Sequence, residues 1–444
     1  MSNFKTLSLP FCAALAGALL LSSCSAASPP TQGAEGGSSS PAAPSRQEVS
    51  ALAPRAVLAY DGGLLTVDTE TGEVLATAQA EGFLRLNPAG DGRRVLVSAG
   101  DEFRIFDSGL VVQGHGDHNH YYEQAPALTG GAVAAPEAGH VVVHEGRTAL
   151  FADGSGAVSV MDTGAFEDGQ VDPDEVREYA ADTPHHGVAV PLADGNLLMT
   201  SGTEESRTTV RTLSPDGGVL AETTDCPGVH GEAAAKPTAQ GDVVVLGCEN
   251  GPVIYRDGAF SKVPVPEAYQ RSGNLFGSQE SSVVLADYKT DPDAEQERPT
   301  RIGLIDTVAG SMKTVDLGSA YWFRSLARGP EGEAVVLTYD GNLVILDEET
   351  GETIHEVPVV GEWEEPAEWQ LPAPAVKVGA DGLAYVTDPA AKKLHVVDLV
   401  AGTVLSSFDL PEAPTEMAIV TGEAEGAGHD GAHHHDDGHG HGED

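Results

Sequence analysis

The sequence predicts an all-β protein, a β-propeller with eight blades, and three observations support this prediction. Between residues 51 and 420, short β-branched runs alternate with Gly, Asp and Asn turns, as in strands joined by tight hairpins. Helical periodicity is nearly absent from this region. A strand–turn–strand phrase recurs roughly every 40–48 residues, which is the spacing of propeller blades.

The recurring phrase is clearest in three copies. Asp61-Gly62 precedes LLTVDTETGEVLATA, Asp340-Gly341 precedes LVILDEETGETIHEV, and KKLHVVDLVAGTVLSSFDL follows Asp388. We place the starts of seven units near Phe83, His140, His186, His230, Leu275, Trp322 and Ala373.

The eighth unit combines residues 415–420 with residues 56–80, so that the C-terminal strand joins the N-terminal blade and closes the ring. A propeller of seven blades is the alternative, because the insertions at 111–136 and 288–300 blur the repeat. We expect the β-propeller to span residues 51–420.

Residues 1–23 predict a lipoprotein signal peptide. Lys5 is followed by an apolar run from Leu9 to Leu21, which is short for a membrane span of about 20 residues. The run ends in Leu-Ser-Ser-Cys24, the spacing of a bacterial lipobox, so Cys24 is predicted to be lipidated. Ordinary secretion with a chance cysteine is the alternative. Residues 24–50 predict a flexible tether, and we expect an exported protein anchored by lipid to the outer face of the cell membrane.

Two of the four cysteines fall within the predicted propeller. Cys226 and Cys248 form an even pair in an exported chain, which predicts a disulfide. Two thiolate zinc ligands are the alternative. A disulfide here would fix the loop that carries His230.

The acidic composition argues against nucleic-acid binding. The chain has 24 Lys and Arg against 68 Asp and Glu, a formal net charge of −44, whereas nucleic acids are bound by basic patches. The charge favours a local excess of cations, although a generally acidic set of exported proteins would explain it equally. We expect a monomer that contacts the membrane only through its lipid.

Three successive units open their innermost strand with a histidine: His140, His186 and His230. Equivalent positions in adjacent blades surround the central channel at one rim, so these three side chains should converge. Three imidazoles are a sufficient zinc or copper set. The alternative is that each histidine satisfies a strand-end carbonyl. Carboxylates flank the set at Glu137, Asp182, Asp225 and Glu232, and possible additional ligands are His144, His185 and Glu232. His355 and His395 are interpreted as surface residues of outer strands.

A second cluster lies in the loop HGDHNH, where His115, Asp117, His118 and His120 could all bind a metal ion. Glycines at 114 and 116 allow the chain to curl around an ion. The loop is either an independent site or a lid that reaches the His140 site.

The last sixteen residues, HDGAHHHDDGHGHGED, hold six of the sixteen histidines. We expect residues 421–444 to be a disordered tail that captures metal, with His433, His434 and His435 as its central ligands. An expression tag is the alternative, although Asp, Glu and Gly interrupt the histidines.

Catalysis has little support in the sequence. The chain has no G-x-S-x-G, H-E-x-x-H, Walker or C-x-x-C-H motif. Two other function classes stay open: a metal-dependent propeller hydrolase, since three histidines with an open position also describe catalytic zinc, and a surface scaffold or adhesion propeller whose histidines are incidental.

Four segments resemble the AztD family of bacterial zinc metallochaperones: HGDHNHYY at 115–122, AGHVVVHEG at 138–146, TPHHGVAVPL at 183–192 and CPGVHGEAA at 226–234. The resemblance implies an exported β-propeller that binds Zn²⁺ and delivers it to the solute-binding protein of a zinc-specific ABC importer. It also implies zinc at His140, His186 and His230 and a labile site at His115, Asp117, His118 and His120. The lipobox and the His-rich tail depart from the family's periplasmic pattern and indicate a cell-surface version.

Overall fold

The computed structural model describes residues 46–116, 118–166 and 168–424. They form 35 strands and two short 3-10 helices, at Thr163–Phe166 and Pro173–Glu175. Eight antiparallel sheets have four strands each, and a ninth has three. None of the helices in these ranges is long and apolar enough to cross a membrane.

The first four sheets contain most of the strands up to residue 223. The first sheet holds β2 (Arg55–Tyr60), β3 (Gly63–Asp68), β4 (Val74–Gln79) and β35 (Glu416–Val420). The second holds β5 (Arg85–Pro88), β6 (Arg94–Ala99), β7 (Glu102–Asp107) and β10 (Ala127–Ala134). The third holds β11 (Ala138–His144), β12 (Arg147–Ala152), β13 (Ala157–Asp162) and β14 (Arg177–Ala180). The fourth holds β15 (Ala189–Pro191), β16 (Leu197–Gly202), β17 (Arg207–Leu213) and β18 (Val219–Thr223).

The next four sheets follow in chain order. The fifth holds β19 (Glu232–Thr238), β20 (Gly241–Leu246), β21 (Val253–Arg256) and β22 (Ala259–Lys262). The sixth holds β23 (Leu275–Ser278), β24 (Ser281–Asp287), β25 (Arg301–Asp306) and β26 (Ser311–Asp316). The seventh holds β27 (Leu326–Arg328), β28 (Ala334–Leu337), β29 (Asn342–Leu346) and β30 (Thr353–Pro358). The eighth holds β31 (Ala375–Val378), β32 (Leu383–Asp388), β33 (Lys393–Asp398) and β34 (Thr403–Asp409).

The hairpins form where the sequence supplies turn residues. Asp61-Gly62 joins β2 to β3, with Tyr60 paired to Gly63 and Gly62 at a φ of 104° that favours glycine. In the turn between β3 and β4, the Asp68 carboxylate accepts hydrogen bonds from the backbone N–H groups of residues 70 and 71. Asp306, Asp347 and Asp398 make equivalent turns in later sheets. The recurring phrase of the sequence is therefore a recurring hairpin.

Apolar side chains pack between neighbouring sheets. Val57 of the first sheet packs with Val95 of the second, and Leu58 of the first packs with Leu394 of the eighth. Equivalent clusters join each of the other neighbouring pairs. Strand β35 pairs antiparallel with β2, so one sheet contains strands from both ends of the domain. The all-β propeller predicted from the sequence is confirmed.

We call one edge strand of each four-stranded sheet its inner strand. Most of these inner strands contact the inner strand of the next sheet around the ring. The inner strands are β35, β5, β11, β15, β19, β23, β27 and β31. We call the end where inner strands begin the upper rim, marked by Arg85 and Ala138, and the end where they finish the lower rim, marked by Pro88 and His144.

The ninth sheet extends from the lower rim. Strand β7 is parallel to β5, because both pair antiparallel with β6, so β7 ends at the lower rim at Asp107. The hairpin of β8 (Leu110–His115) and β9 (His118–Glu123) follows, and β1 (Gln47–Val49) pairs with β9. The predicted flexible tether of 24–50 thus includes a strand at its end.

Candidate metal centre

The structure brings His140, His186 and His230 together at the upper rim. His140 lies in β11, and the other two lie in the segments that lead into β15 and β19. Their ring centroids are 4.6 Å (140 to 186), 5.1 Å (186 to 230) and 5.4 Å (140 to 230) apart. One ring nitrogen of each lies within 4.8 Å of the other two, and the Nε2 atoms of His186 and His230 are 3.1 Å apart. These are nitrogens that one ion could bind.

Each ring is oriented through its other nitrogen. The Nδ1 of His140 donates to the Gly187 carbonyl at 2.9 Å, and the Nδ1 of His230 donates to the Gly273 carbonyl at 2.6 Å. The Nδ1 of His186 donates to the Asp153 carboxylate at 2.5 Å. Because a carbonyl oxygen only accepts, the proton sits on Nδ1 and the Nε2 lone pairs are available to a metal. These Nδ1 hydrogen bonds are the kind expected of a purely structural histidine, but here they also leave each Nε2 able to bind a metal ion.

Burial keeps the imidazoles of His140 and His230 neutral. Burial, followed by the neighbouring His186 and His230, holds the pKa of His140 well below its usual range. Burial and His186 lower the pKa of His230 to about 3. Neutral imidazole is the form that binds metal. Protons therefore compete only weakly with a metal ion for the ring nitrogens of His140 and His230.

A cavity of about 900 Å³ lies against the three histidines. Glu232 also lines it, and burial raises the pKa of that carboxyl to about 8. Glu232 stands outside the group of three mutually close ligand atoms. A metal held by three nitrogens would therefore have a face toward a cavity large enough for water or a partner's side chain.

Sequence reasoning missed Asp153. Its side chain is only 16% exposed, and it follows β12 at the upper rim, next to the segment that carries His186 in the adjacent sheet. The flanking carboxylates suggested by the sequence make other contacts: Asp182 pairs with Arg211, and Asp225 accepts from Asn250. The FADG turn at 151–154 was the available signal, because the repeat places that turn at a rim.

The His115, His118 and His120 side chains also form a group of ligand atoms within 4.8 Å of one another. Their ring centroids are 5.0–5.7 Å apart, and the Nε2 atoms of His118 and His120 are 3.3 Å apart. The Nδ1 of His120 contacts the Glu48 carboxylate of β1 at 2.9 Å, a contact that the sequence did not predict. We call these three histidines the hairpin cluster, and the three at the upper rim the channel cluster.

The two clusters lie at opposite ends of the blades. The channel cluster shares its cavity with Arg85 at the start of β5, whereas the hairpin follows the end of β7 at the lower rim. Of the two alternatives for the loop, the structure therefore favours an independent site over a lid on the channel cluster.

The additional histidines lie outside the channel cluster. Both ring nitrogens of His185 are engaged, by the Thr183 carbonyl and the Thr200 hydroxyl. His144 ends β11 at the lower rim, where its Nε2 is 3.1 Å from the Asp242 carboxylate. His144, Glu145 and Asp242 form a third group of possible ligands.

The interpretation of His395 as a surface residue is wrong, because β33 is the third strand of its sheet and His395 is 7% exposed.

The predicted disulfide is present. Cys226 and Cys248 are bonded, with Cα atoms 4.9 Å apart, so they are not thiolate zinc ligands. The backbone N–H of His230 donates to the Gly247 carbonyl at 3.0 Å. The bridge thus holds the His230 segment against the end of β20.

Several predictions concern residues outside the described ranges. These are the signal peptide at 1–23, the lipidation of Cys24, most of the tether, Asp117, and the tail histidines His433, His434 and His435.

The chain is similar to proteins of known name. No family model matches it. It is 28% identical over 390 residues to the zinc chaperone AztD of Citrobacter koseri, covering 84% of this chain and 87% of the relative. The crystal structure of that AztD superposes with a TM-score of 0.70 at 24% identity, over 84% of this chain and 99% of that one. The structure of apo AztD gives 0.69 at 24%, over 83% and 98%. The resemblance to AztD indicated by the sequence motifs is confirmed, and the solved structures show the same fold.

Proposed function

We propose that this chain is an extracytoplasmic zinc metallochaperone, which captures Zn²⁺ in the channel cluster and transfers it to the solute-binding protein of a zinc ABC importer. One observation carries the proposal: one ring nitrogen of each of the three histidines lies within 4.8 Å of the other two, while every Nδ1 contacts a hydrogen-bond acceptor. Similarity to a protein named as a zinc chaperone supports the identity of the cargo.

The ligand set suits capture followed by release. Three neutral nitrogens bind zinc in tetrahedral sites with one position left over, and the cavity that the three histidines line would leave room for a ligand there. Water, the Glu232 carboxylate or an incoming ligand could fill it. A partner's histidine entering through the cavity would bind first, and this chain's histidines would then dissociate in turn. Such ligand exchange moves the ion without exposing it to solvent and needs no catalytic residue.

The proposed location is the outer face of the cell membrane. The Leu-Ser-Ser-Cys24 sequence supports lipidation, and the Ser-, Pro- and Gly-rich composition of residues 24–45 is typical of a flexible tether. A Cys24→Ala chain should appear in the medium or the soluble extracytoplasmic fraction. Retention of that variant in the membrane would contradict the anchor, without affecting the zinc assignment.

The zinc assignment is tested by titrating the full chain with Zn²⁺ in competition with a chelator. His186→Ala should weaken the tightest equivalent by more than the roughly 10–100-fold that loss of an outer-shell partner costs. His355→Ala is the matched control, because His355 lies in β30 of the seventh sheet and hydrogen-bonds to the Val400 carbonyl, away from the channel. Unchanged tight binding in His186→Ala would overturn the channel assignment.

The same titration separates the other function classes. Turnover of a hydrolysable ester that follows zinc occupancy of the channel would indicate a metal-dependent hydrolase. Transfer is tested with a zinc-dependent solute-binding protein as the acceptor. Quantitative transfer that chelator cannot intercept supports direct exchange, and release of free Zn²⁺ first would contradict it.

A further inference from the structure

The cavity beside the channel cluster holds one arginine that differs from its other cations. Within the described ranges, the Lys and Arg side chains that line it are Arg85, Arg271, Lys289 and Arg298. Arg271 and Lys289 both pair with Glu297, and Arg298 lies 3.4 Å from Glu365. Arg85 makes no ion pair and no side-chain hydrogen bond with any described residue. Its charge is therefore available to a ligand in the cavity.

Arg85 is held in place without using its N–H groups. It begins β5, the inner strand of the second sheet, and pairs with Ser98 of β6. Its guanidinium carbon lies 5.8 Å from the centroid of the Trp369 ring, which is within the range of a cation–π contact. Such a contact occupies no N–H donor with an oxygen, so all five donors of the guanidinium remain for a ligand.

Asn87 supplies a second polar group on the same face of β5. Residues two apart on a strand point to the same side, and both Arg85 and Asn87 line the cavity. The Asn87 side chain also makes no hydrogen bond in the part of the chain that the structure describes. Its amide group carries two N–H donors. One inner strand thus presents two sets of unused donors to the cavity.

These donors share the cavity with the channel cluster. Strand β5 belongs to the second sheet, and β11, which carries His140, belongs to the third, with apolar side chains packed between the two sheets. Burial and the neighbouring histidines lower the pKa of His140, and the charge of Arg85 acts in the same direction. The guanidinium is therefore within electrostatic range of the metal ligands.

A carboxylate has the chemistry to use both neighbours. One of its oxygens can bind zinc as the fourth ligand, a usual role for Asp and Glu in zinc sites. The other can accept N–H groups from a guanidinium, whose planar fork matches a carboxylate. Glu232 lines the same cavity but makes no ion pair with Arg85. Although acidic side chains outnumber basic ones by 68 to 24 in this chain, Arg85 is left for a carboxylate from outside it.

We propose that Arg85 and Asn87 form a carboxylate subsite beside the channel cluster, in which an incoming carboxylate binds the zinc ion and Arg85 together. The proposal rests on the proposed function, since zinc in the channel is the second anchor of the ligand. The carboxylate belongs either to an Asp or Glu side chain of the zinc acceptor or to a small free carboxylate such as acetate.

The test measures the zinc affinity of the channel cluster at increasing acetate concentration. It uses the full-length chain with His115, His118, His120 and the six histidines after residue 428 replaced by Ala, so that binding reports on the channel. Zn²⁺ is titrated against a chelator at constant ionic strength, with perchlorate replacing acetate. A ligand that binds only the zinc-loaded form raises the apparent zinc affinity as its concentration increases.

Acetate should therefore tighten zinc binding in this background protein. Arg85→Gln should weaken acetate binding by about tenfold or more, because it removes a charge-assisted hydrogen bond. Arg85→Lys keeps the charge without the fork and should restore part of this loss. Asn87→Ala should weaken acetate binding by about two- to tenfold. Without acetate, Arg85→Gln should bind zinc at least as tightly as the background, since a positive charge near the ion is removed.

Arg298→Gln is the matched control, because Arg298 lines the same cavity but is paired with Glu365. It should leave the acetate dependence unchanged. Zinc affinity that does not respond to acetate in the background protein would overturn the proposal, and so would an acetate dependence that Arg85→Gln retains. A loss of zinc affinity in Arg85→Gln that is the same at every acetate concentration would show a structural role for Arg85 and would also overturn it.

Transfer to a zinc-dependent solute-binding protein identifies the source of the carboxylate. If the acceptor supplies it, Arg85→Gln should slow transfer in acetate-free buffer, and acetate should slow transfer from the background protein. If a free carboxylate supplies it, the two proteins should transfer zinc equally fast without acetate. Zinc affinity in acetate-free buffer tests the proposed function alone. Tight zinc binding that ignores acetate would overturn the subsite and leave the channel assignment standing.

Discussion

The channel cluster and the hairpin cluster share one chemical design in two environments. Each has three histidines with ligand atoms within 4.8 Å, and in each a carboxylate contacts an Nδ1: Asp153 with His186 at 2.5 Å and Glu48 with His120 at 2.9 Å. Asp153 is 16% exposed, whereas Glu48 is 62% exposed. The same contact should therefore orient a ligand strongly in the channel and weakly in the hairpin, because water screens and competes at the exposed site.

The number of sheets that contribute ligands also differs. The channel cluster draws one histidine from β11 of the third sheet and one from each of the segments that lead into the fourth and fifth sheets, and its hydrogen-bond acceptors come from neighbouring segments of the ring. The hairpin cluster comes from two adjacent strands of one small sheet. The first site is held by several segments of the ring, and the second by one hairpin and the strand β1 that pairs with it. This difference suits retention at one site and rapid exchange at the other.

The largest expected effect is on the pH dependence of apo-protein stability. The lowered pKa values of His140 and His230 mean that the unfolded chain binds protons more readily than the folded one below about pH 6.5. The free energy of unfolding should therefore fall as the pH drops from about 6.5 toward 3, by up to about 1.4 kcal/mol per pH unit for each histidine. Denaturant titration of metal-free protein measures this slope.

The double variant His140→Asn/His230→Asn checks the origin of that slope. The free energy of unfolding of this variant should fall less steeply with pH than that of the wild type over the same pH range, because the neutral amides do not titrate. Identical slopes for the two proteins would show that burial of the channel imidazoles is not the cause.

Removal of the disulfide should affect the channel cluster selectively. Cys226 and Cys248 are separated by 22 residues, and in the chain-entropy model opening such a loop costs about 3 kcal/mol of stability. We expect the Cys226→Ala/Cys248→Ala protein to unfold at lower denaturant and to bind channel zinc more weakly, since the His230 segment loses its brace. Zinc binding at the hairpin should not change, and equal weakening at both clusters would contradict the selective role.

Asp153→Asn should weaken channel zinc by roughly 10–100-fold, the usual cost of altering an outer-shell partner of a ligating histidine. The amide keeps the size of the side chain but removes the charge that strengthens the Nδ1–H···O bond. Chelator competition measures the loss. A weakening below about twofold would mean that the ring of His186 is held by its packing alone.

Glu48→Gln gives the smallest effect. Exposed ion pairs contribute about 0.2–1 kcal/mol, so zinc affinity at the hairpin should fall by at most about fivefold. The measurement is made in the chain whose channel histidines are replaced by Ala. A loss as large as that of Asp153→Asn would remove the distinction between the buried and exposed contacts.

Much of the fold could be predicted because the hairpin turns carry local signals. Asp-Gly pairs and the Asp-x-x-Thr-Gly turns mark strand ends in the sequence. The convergence of His140, His186 and His230 was also predictable, since equivalent positions of a repeat occupy equivalent places around a ring. The solved AztD structures share the fold.

The orienting partners could not be predicted from the sequence. Asp153 precedes His186 by 33 residues, and Glu48 precedes His120 by 72, so the first contact depends on how two sheets meet and the second on the pairing of β1 with β9. His395 was misplaced for a different reason: an alternating strand has the same pattern whether it is third or outermost in its sheet, and β33 is the third strand, where His395 is 7% exposed.

The first zinc ion should occupy the channel cluster. This expectation is tested most directly by anomalous diffraction at the zinc edge from crystals of the full chain loaded with one equivalent of Zn²⁺. We expect a single peak about 2.0–2.1 Å from the Nε2 atoms of His140, His186 and His230, with the hairpin filling only at higher zinc. A first equivalent located at His115, His118 and His120, with no peak in the channel, would contradict it.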